Sequence, residues 1–189
     1  MILEGIVTTL NPDGTVNVSP MGPHVDREVT TMRLRPYHTS RTWQNLREHP
    51  EGVLHVTDDV ELFARAAVGK LESLPPLSDA WVVNGKVLDD ACRSYEFRVT
   101  SADDSAERIT IECEIVHKLF QREFFGFNRA HFAVLEAAIQ ATRLQWLTRD
   151  SVLGNLRRLR PLVEKTGGDR EKRAFAFLEE FVAAAEHES

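Results

Sequence analysis

Over the first 120 residues, apolar and polar positions alternate in short runs; beyond about residue 121 the apolar positions recur every three to four residues. Alternation puts successive side chains on opposite faces of a strand, and the longer period builds one face of a helix. Residues 2–10 alternate, and so does TVNVSPM after them. Between the two, NPDG (11–14) reads as a turn: Pro12 presets φ, Asp13 tolerates the bend and Gly14 can take φ > 0. This predicts a β-hairpin. In REVTTMRLRPY (27–37), Val29, Thr31, Arg33 and Arg35 alternate with Thr30, Met32 and Leu34, a third strand with one face ending in two arginines. Ser40 is a candidate N-cap for a short helix over 41–48, stopped at Pro50. GVLHVT (52–57) is a buried-type strand. Asp58 and Glu61 are spaced as a capping box for a helix that Gly69 ends. ESLPPLSD reads as a loop, AWVVNGKVL as a strand with an Asn-Gly turn, and residues 94–120 as two long strands about an acidic loop.

The rest reads as helices. The first spans 128–149, with Ala130, Val134, Ala137, Ala138, Ala141 and Leu144 at helical spacing. Asp150 caps a second to about Lys165, ended by Gly167–Gly168, and Asp169 caps a third to about Glu186. Strands followed by helices indicate an α+β fold, not a doubly wound parallel sheet, and evenly spaced short strands indicate a closed or nearly closed barrel. The expected organisation is a β-rich domain over 1–120 and a helical extension over 121–189 packed on it.

Composition narrows the function classes. The chain has 189 residues, 42% of them apolar, enough for one domain with a small appendage. Its net charge of −6 disfavours nucleic acid and anionic membranes as partners, since both need a basic surface. No apolar run is long enough for a membrane helix, and MILEGIVTTL lacks the basic start and cleavage site of a signal peptide. Cys92 and Cys113 have no CxxC or metal-like spacing, so two free thiols in a reducing cytoplasm are expected.

Three stretches carry candidate chemistry. Arg33, Arg35, Thr39, Ser40 and Thr42 surround the start of the 41–48 helix, where unpaired N–H groups, hydroxyls and a guanidinium suit a dianionic phosphate. The same residues also fit a strand edge with solvated arginines and an ordinary Ser cap. In NVSPMGPH (17–24), Pro20 is expected to break the ladder and Gly22 to permit close approach, so that backbone groups line the edge of a flat ring; taken alone, the stretch fits a strand-ending turn better. In FGFNRAH (125–131), Asn128 and Arg129 open the longest helix, either as a ligand or subunit contact or as a cap and a solvated residue. A cation in a first helical turn opposes the macrodipole, which favours an anionic partner for Arg129. The seven histidines (24, 38, 49, 55, 117, 131 and 187) are dispersed, with no HxxxH or HxxH pair, so no local metal site is expected. GxSxG, GxGxxG and GxxxxGK[ST] are absent.

Taken in order, GIVTTLNPDGTVNVSPMG, RLRPYHTSRTWQNL and GVLHVTDD resemble the FMN-binding split-barrel proteins of the flavin-reductase and pyridoxamine-phosphate-oxidase-like superfamily. The chain is more narrowly similar to the DUF447 group, in which SxTxxNL (Ser40, Thr42, Asn45, Leu46) and GFNRA (126–130) also occur. The resemblance implies an antiparallel split β-barrel, a homodimer, and one FMN per subunit near the interface. It implies that Thr39, Ser40 and Thr42 hold the phosphate with Arg33 or Arg35, and that Asn17, Ser19, Pro20 and Met21 flank the isoalloxazine. Asn45 would support the loop, and Asn128 and Arg129 would lie near the site or the interface. The implied activity is an FMN-dependent oxidoreductase with no named catalytic base, acting on a small molecule linked to tetrahydromethanopterin one-carbon chemistry. The alternatives are a non-catalytic flavin carrier and a haem-binding split barrel with His24 or His117 as axial ligand.

Overall fold

In the computed structural model, residues 1–185 are described; Glu186 and His187 lie outside them. The chain divides into two compact units. One holds residues 1–57 and 73–124; the other holds, of the described residues, 58–72 and 125–185.

The first unit is built on a seven-stranded, wholly antiparallel sheet in the order β2-β1-β5-β8-β9-β4-β3. The strands are β1 (Gly5–Leu10), β2 (Val16–Met21), β3 (His24–Val25), β4 (Thr31–Leu34), β5 (Glu51–Val56), β8 (Arg93–Asp103) and β9 (Thr110–Phe120). A separate hairpin joins β6 (Leu77–Asp79) to β7 (Lys86–Leu88). Beyond β3 the sheet curls back on its own beginning: Val25 N–H donates to Met1 O at 2.8 Å and Leu3 N–H to Pro23 O at 3.0 Å. The segment leading into β1 thus covers the free edge of β3, which would otherwise be open to pairing.

The hairpin forms as predicted, with Leu10 opposite Val16 and Gly14 at φ 82°. Pro20 does not break β2, which runs on to Met21. β2 is an edge strand, where a residue without an N–H is tolerated. Of the strand predicted over 27–37 only Thr31–Leu34 forms, and the two-residue strand β3 (His24–Val25) precedes it. Val29 at φ 49° and the Asp26 carboxylate, which accepts from Thr30 N–H at 2.7 Å, bend the chain between them. Residues 80–85 are not strand: the N–H groups of Trp81, Val82 and Val83 turn to the Glu96 carboxylate at 2.9, 2.7 and 3.0 Å. The two long strands β8 and β9 form as predicted.

Registers assign the two faces. Val7, Leu54 and Tyr95 share one with Met32, Leu34, Phe97 and Ile111, an apolar core closed by Trp43 and Leu46 from helix α1 (Arg41–Glu48). The other face carries Thr8, Val53 and Glu96 side by side, and Ile6, His55 and Ser94 beside them. Curvature brings β5 close to its neighbours. A Cβ on Gly52 would stand 2.7 Å from the Phe97 ring and 2.9 Å from Thr8 O, so only glycine fits. Cys92 and Cys113 are buried and free. Burial, with some help from Glu112, pushes the Cys113 thiol up to about 12, so it is no nucleophile.

The second unit packs four helices: α2 (Val60–Ala67), α3 (Arg129–Ala141), α4 (Arg149–Thr166) and α5 (Asp169–Ala184). By sequence α2 lies within the first 120 residues; in space Val60 and Ala64 join the core of the other helices. The small-residue stripe Ala130, Ala133, Ala137, Ala138 and Ala141 makes α3 the central helix, touching the other three. Caps differ from expectation by one or two residues. Asp59, not Asp58, caps α2 through Leu62 N–H at 3.0 Å, and Asp58 accepts from Phe125 N–H at 3.0 Å. α3 stops at Ala141 because the chain tightens into turns over 142–146. Thr148 caps α4, Gly168 precedes α5, and Asp150 and Asp169 sit in the first turns, where they complement the dipole.

His55 gives a pH-dependent stability. It is fully buried; its Nδ1–H donates to Ile6 O and its Nε2 accepts from Leu88 N–H, both at 3.1 Å. Burial lowers its pKa from 6.5 to about 4, against the smaller opposing effect of the Ile6 carbonyl. The unfolded chain therefore takes up this proton near pH 6.5 and the folded chain only near 4. The contribution is complete above pH 6.5 and is lost as pH falls toward 4, to a total of about 3 kcal/mol at about 1.4 kcal/mol per pH unit. Urea midpoints measured across this range should fall accordingly, and His55→Gln should flatten that slope while lowering stability at neutral pH.

Candidate functional site

A directed chain of hydrogen bonds organises the start of α1. Thr15 hydroxyl donates to Asp13 at 2.6 Å, and Asn11 Nδ2 donates to Thr15 Oγ1 at 2.8 Å. Thr15, through its hydroxyl and then its N–H, also holds the Asp13 carboxyl below its usual range. With its amide nitrogen so used, Asn11 turns Oδ1 toward Asn45 Nδ2, 2.9 Å away. Asn45 Nδ2 also donates to Thr9 Oγ1 at 2.9 Å. Thr9 Oγ1 accepts again from Asn17 Nδ2 at 3.2 Å, and Asn17 Nδ2 reaches Thr42 Oγ1 at 3.3 Å. Asn17, Thr42 and Asn45 are thereby brought together on β2 and α1.

Thr42 and Asn45 are buried, whereas Thr39 is exposed and Ser40 half-buried. Ser40 caps α1 as predicted: its Oγ accepts from Trp43 N–H at 3.4 Å, leaving its own hydrogen to donate. The first turn of α1 contains no acidic residue. Ser19 and Met21 share a strand face with Asn17, and Pro20 faces the other way, opposite Ile6. The two arginines differ. Arg33 Nε is paired with Glu112 Oε1 at 2.5 Å. Arg35 is exposed, with no carboxylate in ion-pair range among the described residues. Alongside α1 lies a recess of about 440 Å³, lined by Pro12, Arg41, Gln44, Asn45, Arg47 and their neighbours, within the usual size range of ligand sites. Thr9 and Asn11 were not legible as site residues. The only hint was that Thr9 and Asn17 face each other across the hairpin.

Asn128 and Arg129 lie in the helical unit. Asn128 caps α3: Oδ1 accepts from Ala130 N–H at 2.7 Å, and Nδ2 donates to Thr166 O at 3.1 Å, tying α3 to the end of α4. Arg129 is exposed and has no carboxylate partner among the described residues. Phe125, Phe127 and Phe132 around it are 75%, 96% and 55% exposed, a run of uncovered aromatics. Of the two haem-ligand candidates, His24 is exposed on β3, and His117 has a buried Nε2 and a ring centroid 5.9 Å from that of Trp81. No group of three metal-ligating side chains occurs among the described residues, and none of their helices is long and apolar enough to cross a membrane.

The family model for the DUF447 N-terminal domain matches residues 3–122, and that of the second DUF447 domain matches 128–180; both are described as a protein of unknown function. The chain belongs to the DUF447 family. It is similar to the FMN-bound protein MM1853 of Methanosarcina mazei, a DUF447 structure, at 26% identity and a TM-score of 0.81, over 95% of this chain and 94% of that one. It shares its fold with nitrilotriacetate monooxygenase component B of Bacillus cereus (17% identity, TM-score 0.51, 62% of this chain and 68% of that). The FMN-binding protein of Thermus thermophilus with bound p-hydroxybenzaldehyde is a further fold relative (11%, 0.55, 64% and 71%). No curated protein matches. The sheet of the DUF447 chain is thus the antiparallel split barrel, followed by the C-terminal helices.

The two residues that open α3 separate by function in a simple measurement. Asn128→Ala removes a cap and an interhelical tie, and should cost about 1–2 kcal/mol in urea unfolding. Arg129→Gln removes an unpaired charge from the positive end of a helix, and should change stability by less than about 0.5 kcal/mol.

Proposed function

We propose that this DUF447 chain binds FMN along α1 and serves as an FMN-dependent oxidoreductase for a small molecule. The observation that carries this reading is the start of α1, a helix N-terminus with a hydroxyl cap, no acid in its first turn, an exposed Thr39 and an unpaired Arg35 nearby in sequence. It is supported by the similarity to the FMN-bound Methanosarcina protein. The residues fit a phosphate monoester: N–H groups and the Thr39 and Ser40 hydroxyls donate, and a guanidinium balances the charge. Arg35 is the charge partner, because Arg33 is already held by Glu112. Thr42 acts one step behind, since it is buried and accepts from Asn17. Asn45 holds the hairpin turn to α1, which is the supporting role. Asn17, Ser19 and Met21 line the strand face proposed for the isoalloxazine, with Pro20 as its backbone neighbour.

Bound FMN supplies hydride and electron transfer; the chain supplies orientation. The recess beside α1 begins at Arg41, in the same first turn, so one ligand can span both. The exposed aromatics at 125–132 favour assembly as a homodimer, since a soluble monomer rarely leaves so large an apolar cluster uncovered. Asn128 and Arg129 would then stand near that interface, Asn128 as a cap and Arg129 as the residue free to contact a partner or anion.

Arg35→Gln combined with Ser40→Ala should weaken FMN by at least about tenfold while leaving riboflavin nearly unchanged, because each lost hydrogen bond to a charged group is worth about 1.5–3 kcal/mol. Fluorescence titration of both ligands reads this directly. Equal weakening of the two removes the phosphate from α1. NADH and NADPH oxidation by the FMN-loaded protein separates an oxidoreductase from a carrier, which would show neither.

A further inference from the structure

Residues 80–90 cross the polar face of the barrel sheet, and their attachment is mostly polar. The hairpin β6–β7 forms its own two-stranded sheet, with no ladder to the seven-stranded one. Side chains of the sheet instead bind the backbone of this segment one group after another. Glu96, 1% exposed, accepts three consecutive N–H groups at 81–83. Glu51 accepts from Asn84 N–H at 2.7 Å. Thr8 hydroxyl donates to Lys86 O at 2.6 Å, and His55 accepts from Leu88 N–H. Gln121 Nε2 donates to Leu88 O at 2.7 Å, and Arg122 Nε to Asp90 O at 3.1 Å. The apolar contribution of the crossing comes from three buried side chains, Val83, Val87 and Leu88, of which Val83 and Val87 pack on Val53.

We propose that residues 80–90 form a strap that undocks from the barrel as one unit while the barrel stays folded, with the Glu96 carboxylate as its latch. Local opening follows the balance of buried apolar area and hydrogen bonds in each segment, and a segment held by few apolar contacts opens below the global unfolding free energy. Glu96 is the strongest single attachment, because three N–H donors converge on one charge. The strap carries Trp81, which is 75% exposed and lies on His117 with the rings 15° from parallel. Undocking moves this indole, frees His117 Nε2, and uncovers the row Thr8, Val53 and Glu96. The latch therefore decides whether this face of the barrel presents an aromatic ring or an open polar strip. Nothing in this depends on flavin.

Native-state hydrogen exchange of the full chain tests the proposal. In Glu96→Gln, which keeps the shape and loses the charge, exchange at 81–83 and Leu88 should accelerate by at least about tenfold, while Val53, Phe97 and Cys113 keep their wild-type rates. In the wild type, low urea should reveal one shared opening free energy for Val83 and Leu88, well below that of Phe97, which keeps the test open if the variant fails to fold. Equal acceleration of strap and barrel, or unchanged strap rates, overturns the latch. Strap amides that exchange only through global unfolding overturn the strap itself.

Discussion

The amide of Asn45 holds the first turns of α1 to the β1–β2 hairpin, and the candidate phosphate site exists only while that bond set is intact. Its orientation is not free: Asn11 presents an acceptor because its own nitrogen is committed to Thr15, so Asn45 must present donors. That choice leaves Asn45 Oδ1 buried without a partner, a cost of about 1–3 kcal/mol. Trp43 and Leu46 on the same short helix offset it by closing the barrel core. The helix start is thus aimed by burial as well as by hydrogen bonds, and one unpartnered amide oxygen is carried there.

Neighbouring residues on β1 serve opposite faces because strand side chains alternate. Thr9 is the branch point of the network that steadies α1, while Thr8, one residue before it, anchors the strap through Lys86. β5 and β8 repeat the pattern: Leu54 and Tyr95 fill the core, while Val53, His55, Ser94 and Glu96 face the other way. Burial of the polar groups on that second face is offset only while each has a partner, and the strap supplies partners that a regular ladder would not. This is why residues 80–85 abandon strand geometry despite their apolar, β-favouring side chains.

Features set by neighbours in sequence were legible; features set by distant partners were not. The NPDG turn, the Ser40 cap, the alanine stripe of α3 and the long β8–β9 hairpin all follow from local rules. The Arg33–Glu112 pair spans 79 positions and the Trp81–Glu96 contact 15, and neither leaves a local trace. Adjacent candidates also blur the reading. Asp58 and Asp59 both satisfy a cap pattern, and only the tie from Asp58 to Phe125 shows which one is otherwise engaged. Pro20 looked like a terminator because the edge position of β2 is a property of the sheet order, which the sequence of one strand does not contain.

Among the described residues, the five helix starts separate sharply as anion sites. Glu61 stands in the first turn of α2, Asp150 in that of α4, and Asp169 and Glu171 in that of α5. Each internal carboxylate already answers the positive end of its helix and would repel a second anion. Only α1 and α3 lack an acid there. In α3, however, Ala130 N–H is shared by Asn128 Oδ1 and Thr166 Oγ1, so a leading donor is spent on the tie to α4. In α1 the cap engages Trp43 N–H through a long 3.4 Å bond, and the hydroxyl hydrogen of Ser40 is still free to donate. The start of α1 is therefore the positive end left without an acid of its own or a committed leading donor, and Arg41 in its first turn also lines the recess that runs along the helix.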